Sequence, residues 1–467
     1  MINFHLLTSL LAIVATAEAT NPHHHRHFKR QGTSSASASS SSATSASQTR
    51  GSASASQTTG SASAAVTDPL STLTAIVSGV PVLGSITSGM PTGTPFSAST
   101  TYQAGTKPTY SGAPALPSPF VLKAGTFPAL DKVPPTDSAE VKEWLKELDG
   151  WTIPNIPKNV DNLCSSNPQA AQDAAKNGWW TCGAHTRSTD IVQCPEKGTW
   201  GVSFDDGPSD YTPKLLNYLT TNNIQSTFFV VGSRVISRPD ILREEYMSGH
   251  EISIHTWSHP ALTTLSNEQI VAELGWTRKA IKDVLGVTPT TMRPPYGDID
   301  DRVRAICLAM GMIPMMWTSA PDGTSFDTFD WRVPGGLVNG VQSYKQFTGI
   351  LDKASALGNG FIVLQHDLYE ISVDLAIGYT LNAAMKHNPP FKLQAIGQCS
   401  KIPTSNLYLE SNTNATFPFQ NSTSGKSDTN GKTSGSNGSN GAIASSLPSS
   451  VFATYVLGII AVVAATL

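Results

Sequence analysis

The sequence predicts an α/β fold, a distorted (β/α)7 barrel of the TIM type, flanked by disordered Ser/Thr-rich arms at both ends. From residue 199 onward, short apolar runs alternate with amphipathic helical patterns. The apolar runs are continuous, which is typical of parallel strands buried on both faces. Seven such runs favour a barrel over an open sheet. Two flanking stretches, 31–118 and 424–450, consist mainly of small and polar residues and bury too little apolar surface to offset the entropy of ordering.

The predicted elements follow in a regular order. The strand runs are TWGVSF (199–204), STFFVVG (226–232), HEISIH (250–255), TTMRPP (290–295), MIPMMWT (312–318), GFIVLQ (360–365) and FKLQAI (391–396). Helical patterns cover 212–222, 239–249, 267–286, 300–311 and 345–358, and several end at Gly, as caps require. Because the functional site of such a barrel lies at the carboxyl ends of the strands, the polar residues there should form one chemical set.

The N-terminal part of the chain carries predicted processing signals. Residues 1–19 combine an apolar stretch with Ala17-Glu18-Ala19, which predicts a signal peptide, although its first residues lack Lys and Arg. Residues 20–118 form the low-complexity arm, in which the dibasic pair Lys29-Arg30 would end a pro-segment. Residues 119–198 are predicted to be an extension that packs on the barrel.

The C-terminal part carries predicted modification signals. Residues 401–440 form a Ser/Gly/Asn-rich tail with N-glycosylation sequons at Asn414, Asn421 and Asn437. Residues 441–467 end in an apolar stretch that follows a polar spacer, which predicts a GPI-attachment signal. Asn440 is the predicted attachment residue, with Asn437 as the alternative. A plain membrane helix is the competing interpretation, since the span is near the short limit for crossing a bilayer.

The five cysteines of a secreted chain predict disulfides. Cys194 precedes the first strand and Cys399 follows the last, so a bridge between them would tie the two ends of the barrel together. A Cys164–Cys182 bridge would then staple the extension. Cys307 lies among apolar residues of a helical run and is expected to be free. Other pairings remain open on sequence alone.

Two histidines and two aspartates follow predicted strands at the same end of the barrel. Asp205 and Asp206 come after the first strand, and His255 and His259 come after the third, four residues apart. Two histidines with a carboxylate from another strand make three ligands, which leaves a position open for water at a catalytic zinc. The sequence therefore predicts a metal site at these strand ends.

The doubled aspartate suits a metal hydrolase, which uses one carboxylate as ligand and another as base. Successive side chains leave a strand in opposite directions, so the turn at Gly207-Pro208 would bring both to one pocket. Arg293, after the fourth strand, would pair with the base and keep it ionised. Taken singly, these motifs also match a surface turn, a structural salt bridge and a capping histidine, His366, after the sixth strand.

Four motifs together resemble those of the polysaccharide deacetylase domain of carbohydrate esterase family 4, the NodB homology domain. They are SFDDGP (203–208), HTWSHP (255–260), RPPYG (293–297) and LQHD (364–367), and the resemblance covers residues 199–400. Among members of the family the chain looks most like the GPI-anchored chitin deacetylases of fungi. Cys194 and Cys399, at the two ends of the domain, also resemble cysteines of those enzymes in their positions.

The resemblance implies a role for each matching residue. Asp205 would be the general base, and Asp206, His255 and His259 would bind one divalent metal ion, zinc with cobalt as the alternative. His366 would be the general acid.

Further roles implied by the resemblance concern the walls of the site. Arg293 would orient the base, the backbone N–H of Tyr296 would donate to the oxyanion, and Leu364 would line the pocket for the acetyl methyl group. The family's fourth motif matches loosely, in the segment FDTFDW (326–331). By spacing, Asp327 is expected to partner Arg293, and Trp331 is expected to form a substrate-facing wall, with an ordinary core position as the alternative for Trp331.

The expected function is metal-dependent hydrolysis of the N-acetyl groups of chitin, which gives chitosan and acetate at the cell surface. Chitin and a GPI lipid are the expected partners; no protein partner is evident, and a net charge of −3 argues against nucleic acid. The expected location is the outer face of the plasma membrane, with transfer to the cell wall as a further step. One alternative is deacetylation of another acetylated glycan, including an O-acetyl ester. The other is a non-catalytic wall protein.

Overall fold

The computed structural model of the protein describes residues 68–109 and 112–413. The predicted signal peptide, the Arg30 site, the three sequons and the GPI signal lie outside these residues. Within the described part of the chain, no helix combines the length and apolar character needed to cross a membrane.

A seven-stranded parallel sheet forms the centre of the molecule, as the alternating pattern predicted. The strand order is β5-β4-β3-β2-β1-β6, with β7 paired to the first half of β1. The strands are β1 Thr199–Asp205, β2 Thr227–Val230, β3 Glu251–Ile254, β4 Thr291–Met292, β5 Ile313–Pro314, β6 Phe361–Ile362 and β7 Lys392–Ala395.

The sheet curls into a distorted barrel. β1 pairs with β2 through residues 203–205 and with β6 through residues 200–201. On the far side, the backbone N–H of Thr318, beyond β5, donates to the carbonyl oxygen of Ile362 in β6 at 3.0 Å. Three strands are only two residues long, so part of this side is joined through irregular segments rather than long ladders.

Helices follow the strands in the predicted alternation. They are α1 Ala139–Leu145, α2 Pro168–Gln172, α3 Ala174–Asn177, α4 Thr212–Thr221, α5 Gly232–Ser237, α6 Pro239–Met247, α7 Asn267–Leu285, α8 Asp301–Ala309, α9 Gly340–Ala356, α10 Glu370–Leu375, α11 Leu381–Met385 and α12 Ile396–Cys399. Helix α9 begins five residues before its predicted start, where Asn339 forms a capping box with Gln342. Helix α10 was not predicted, because its six residues alternate between polar and apolar, a pattern that lacks the helical period.

Both expected disulfides are present, and Cys307 is free and buried. The Cys194–Cys399 bridge passes directly beside β1. A Cβ atom added at Gly201 would lie 2.9 Å from the Cys194 sulfur and 3.3 Å from the Cys399 sulfur. Glycine at this strand position therefore makes room for the bridge.

The N-terminal arm was expected to be disordered up to residue 118, and for residues 68–109 and 112–118 that expectation is wrong. Leu83 and Ile86 are fully buried in a cluster with Val341 and Leu375. The arm's average composition is poor in apolar residues, but the few it has are concentrated where they contact α9 and α10. Local clustering, rather than the average, decides whether a segment can bury enough surface.

Candidate active site

The two aspartates at the end of β1 both lie near His255 because the backbone turns between them. Asp206 has a φ of 80°, a left-handed value that is costly for a non-glycine residue. Its N–H donates to the carbonyl oxygen of Phe229 at 3.1 Å, which fixes the turn. A Cβ atom at Gly207 would lie 2.4 Å from Oδ2 of Asp367, so only glycine can occupy this position without displacing that carboxylate.

Asp206, His255 and His259 converge at the ends of β1 and β3. Their ligand atoms all lie within 4.8 Å of one another. Oδ1 of Asp206 is 3.4 Å from Nε2 of His255 and 3.0 Å from Nε2 of His259. Nδ1 of His255 lies 2.7 Å from the carbonyl oxygen of Arg293 and must donate to it, because a carbonyl only accepts. That bond leaves the Nε2 lone pair directed at the cluster. The donor set matches a divalent cation of the zinc type.

A buried carboxylate holds the loop that joins the two histidines. Oε2 of Glu273, on α7, accepts from the N–H of Trp257 at 2.7 Å and from the N–H of Ser258 at 2.8 Å. Its Oε1 accepts from the Ser258 hydroxyl at 2.5 Å. Burial raises the pKa of Glu273 to about 7, although these hydrogen bonds oppose the rise. Glu273 was not predicted as a site residue, because its sequence position resembles that of any acidic residue of an amphipathic helix.

Arg293 is fully buried and holds Asp205. Its Nη1 donates to Oδ1 of Asp205 at 2.6 Å and to the Ser203 hydroxyl at 2.9 Å. Its remaining nitrogens donate to the carbonyl oxygens of Met315 and Met316, and the guanidinium lies 4.0 Å from the Phe229 ring centroid. The expected contact between Arg293 and Asp205 is therefore present.

The expected pairing of Asp327 with Arg293 is wrong. Asp327 accepts instead from the N–H of Phe329 at 2.8 Å and from the indole N–H of Trp331 at 3.3 Å. The nitrogens of Arg293 donate instead to Asp205 and to backbone carbonyls of the segment after β5.

The aspartate of this segment that contacts a predicted catalytic residue is Asp330. Its Oδ1 lies 2.8 Å from Nδ1 of His366, and its Oδ2 accepts from the His366 backbone N–H at 2.8 Å. Phe329, with a φ of 58°, turns the chain so that Asp330 faces His366. The sequence offers two carboxylates three residues apart in an irregular segment, and nothing in their spacing distinguishes them.

His366 is paired with a carboxylate in a buried position. Burial alone would lower its pKa, but the charge and hydrogen bond of Asp330, with the charges of Asp206 and Asp205, outweigh burial and raise it to about 10. His366 also lies beside the first aspartate, because Asp205 and His366 form a parallel β-bridge. The expected base and the expected acid therefore lie side by side on neighbouring backbone segments.

The site opens into a small cavity of about 40 Å³. The residues that line it are Asp205, His255, His259, Tyr296, Trp317, Asp327, Trp331, Leu364 and His366. Tyr296 has a φ of 60°, and its ring lies 4.7 Å from that of His259. Trp317 was not predicted: it follows β5 in a run that looks like ordinary core.

A parallel barrel with this constellation at its strand ends defines a hydrolase of the polysaccharide deacetylase class. The chain belongs to the polysaccharide deacetylase family, whose model matches residues 192–314. Over 341 residues it is 53% identical to chitin deacetylase 1 of Cryptococcus neoformans var. grubii, and the match covers 72% of each chain.

Other comparisons are more distant. The chain is 34% identical to a chitin deacetylase of Amylomyces rouxii over 53% of its own length, and it spans 61% of that relative, less than two thirds. Among solved structures, it is 27% identical to the chitin deacetylase of Colletotrichum lindemuthianum. That match covers 48% of this chain and 97% of the other, with a TM-score of 0.41.

Proposed function

We propose that the protein is a metal-dependent chitin deacetylase, which hydrolyses the N-acetyl groups of N-acetylglucosamine residues to give chitosan and acetate. The main supporting observation is the convergence of Asp206, His255 and His259 at the cavity that Asp205, His366 and the two histidines line. The identity to chitin deacetylase 1 over most of the chain supports chitin as the substrate.

Asp206, His255 and His259 would hold the cation, with zinc as the expected ion and cobalt as an alternative. When bound, such a cation lowers the pKa of water and draws electron density from the acetyl carbonyl. Asp205 accepts the proton of the attacking water. Arg293 favours this role, because its guanidinium donates to the Asp205 carboxylate at 2.6 Å and fixes its position.

His366 supplies the proton that the leaving amine requires. Its Nδ1 is hydrogen-bonded to Asp330, so Nε2 is the nitrogen available to a substrate in the cavity. As the C–N bond breaks, the Nε2 proton passes to the amine nitrogen, and the acetyl carbon leaves as acetate. Asp330 favours the protonated imidazolium until that transfer takes place.

The cavity walls suit an acetylated sugar. Leu364 offers an apolar surface for the acetyl methyl group, and Trp331 offers a flat wall for a pyranose ring. The backbone N–H of Tyr296 would donate to the oxyanion, a contribution of about 3 kcal/mol if it resembles other such donors.

The end sequences support a location at the cell surface. A signal peptide over residues 1–19 would direct secretion, and GPI attachment at Asn440, or at Asn437, would anchor the chain to the outer face of the plasma membrane. Transfer from that anchor would place it in the wall, near its substrate.

The test is release of acetate from chitin oligomers by the purified protein as isolated, after chelation, and after zinc or cobalt is restored. We expect activity to disappear on chelation and to return with the metal, and an Asp206→Asn variant to stay inactive. Acetate from O-acetylated glycans but not from chitin would contradict the substrate. No acetate from any acetylated glycan by the metal-loaded protein would favour the non-catalytic wall protein.

A further inference from the structure

The segment 127–131 of the N-terminal extension lies against the loop that carries both metal-ligating histidines. This loop, residues 255–259, is called here the metal loop. We propose that segment 127–131 positions the metal loop and thereby sets the affinity of the Asp206/His255/His259 site for its cation. The inference rests on the proposed function, because it requires that this site bind a metal.

The metal loop has a backbone that needs support. Thr256 and His259 have φ values of 67° and 61°, in the left-handed region that non-glycine residues rarely adopt. Such conformations persist only when surrounding contacts over-determine them. One of the two strained residues is itself a proposed ligand, so the backbone that directs its imidazole depends on these contacts.

Contacts from helices α5 and α7 hold the backbone of the loop. Glu273 accepts from the N–H groups of Trp257 and Ser258. The N–H of Gly232 donates to the carbonyl oxygen of Thr256 at 2.9 Å, and the N–H of Ser233 donates to that of Trp257 at 3.1 Å. These bonds fix the loop's backbone, but none of them involves the Trp257 side chain.

Contacts from the extension hold that side chain. Phe127 stacks on Trp257, with ring centroids 5.8 Å apart and planes inclined by 2°. The Trp257 indole N–H donates to the carbonyl oxygen of Ala129 at 3.1 Å. Asp131 accepts from the hydroxyl of Ser233 at 2.9 Å, and Ser233 is the residue that bonds the Trp257 carbonyl. Two residues of one short segment therefore contact a single residue of the metal loop, and a third contacts Ser233, which bonds the carbonyl of that residue.

The position of Trp257 links these contacts to both histidines of the metal loop. It lies midway between His255 and His259, two residues from each, and it is fully buried. A shift of its indole would move both histidines relative to Asp206. Phe127 is held in turn by Trp276, whose ring lies 5.9 Å away, and by the Lys279 ammonium at 5.1 Å, so the stack is backed by α7.

The experiment measures the zinc dissociation constant of the full-length protein by competition with a chromogenic chelator. The variants are Phe127→Ala, Phe127→Tyr and, as the matched control, Val141→Ala. Val141 is a fully buried residue of α1 in the same extension and belongs to none of the ring contacts around Trp257. The absorption spectrum of the cobalt-loaded protein reports the ligand geometry separately.

We expect Phe127→Ala to weaken zinc binding about tenfold, as loss of groups that orient metal ligands does, and to alter the cobalt spectrum. Phe127→Tyr keeps the stack and should bind zinc like the unmodified protein. Val141→Ala should lower the melting temperature and leave the zinc dissociation constant unchanged. If Phe127→Ala does not fold, Asp131→Ala replaces it, with an expected weakening of about threefold.

Three results would overturn the inference. Unchanged zinc affinity in Phe127→Ala, or in its replacement, would show that the contacts do not reach the ligands. Equal weakening in Phe127→Ala and Val141→Ala would show a general loss of stability. An unmodified protein that binds no zinc and releases acetate after chelation would overturn the metal-dependent function as well, which the first two results leave intact.

Discussion

Asp330 holds His366 with both of its carboxylate oxygens: one lies 2.8 Å from the imidazole Nδ1 and the other accepts from the backbone N–H at 2.8 Å. The same carboxylate thus fixes where the ring points and how strongly it keeps its proton. Asp327, three residues earlier, accepts from Phe329 and Trp331 instead. Comparison of an Asp330 variant with an Asp327 variant can therefore separate an effect on His366 from an effect on the segment 326–331 that carries both aspartates.

Replacement of Asp330 should move the pH profile of the reaction. The pKa of His366 is raised to about 10 because carboxylates, Asp330 foremost, outweigh the effect of burial. A general acid works only while protonated, so activity is lost as the pH rises through its pKa. Asp330→Asn removes the negative charge and should shift the basic limb of kcat to lower pH, with kcat reduced about 10- to 100-fold. Asp327→Asn should leave that limb in place, and a limb unmoved in Asp330→Asn would contradict the pairing's role.

Replacement of Asp205 should separate catalysis from metal binding. Asp205→Asn removes the proposed base and should reduce kcat about 10²- to 10⁴-fold while zinc content stays at that of the unmodified protein. It also leaves the fully buried Arg293 without its anionic partner, so we expect the free energy of unfolding to fall by about 3 to 5 kcal/mol. Kinetics, metal analysis and urea unfolding measure the three effects. Loss of zinc in Asp205→Asn would mean that Asp205 is a ligand rather than the base.

Glu273 should make stability depend on pH. Burial raises its pKa from an ordinary value of 4.5 to about 7 in the folded protein. Between these values the folded protein binds a proton that the unfolded chain does not, so the free energy of unfolding falls as the pH rises from 4.5 to 7. The fall contributed by this group is about 3 kcal/mol. Urea unfolding of the metal-free protein and of Glu273→Gln measures this effect. As the pH rises from 4.5 to 7, the unmodified protein should lose about 3 kcal/mol of unfolding free energy relative to the variant, because glutamine does not titrate.

A substitution at Leu83 can test whether the N-terminal arm contributes to the stability of the folded protein. It is fully buried in the cluster formed with Ile86, Val341 and Leu375. Leu83→Ala should lower the free energy of unfolding by about 2 to 5 kcal/mol, the usual range for a leucine truncated in a core. Val82→Ala is the control, because Val82 is 37% exposed and should have little effect. Similar stabilities for the two variants would mean that the arm does not contribute to the fold.

The parts of this molecule that sequence analysis could predict are those governed by local pattern. The seven strands appear as continuous apolar runs, and the rule that sites lie at strand ends identified Asp205, Asp206, His255, His259 and His366 as one set. Each of these residues except His259 is recognisable because an apolar run ends at it or just before it, and His259 is recognisable by its four-residue spacing from His255.

The parts that could not be predicted depend on contacts between distant segments. Glu273 supports the metal loop from a helix, and Asp330 rather than Asp327 reaches His366 because of a single left-handed residue, Phe329. Trp317 lines the cavity although its surroundings in the sequence are apolar. None of these relationships has a fixed spacing along the chain, so only the folded backbone determines them.

Strand β1 has a different kind of constraint at each end. At one end, the Cys194–Cys399 bridge lies against Gly201; at the other, four residues along, Asp205 lines the cavity and is followed directly by Asp206. A disulfide bridge and the first of two neighbouring carboxylates are therefore positioned by one seven-residue strand. Formation of the disulfide is in that sense a maturation step for the site itself, because the bridge that ties the two ends of the barrel together also braces the strand that leads to both aspartates.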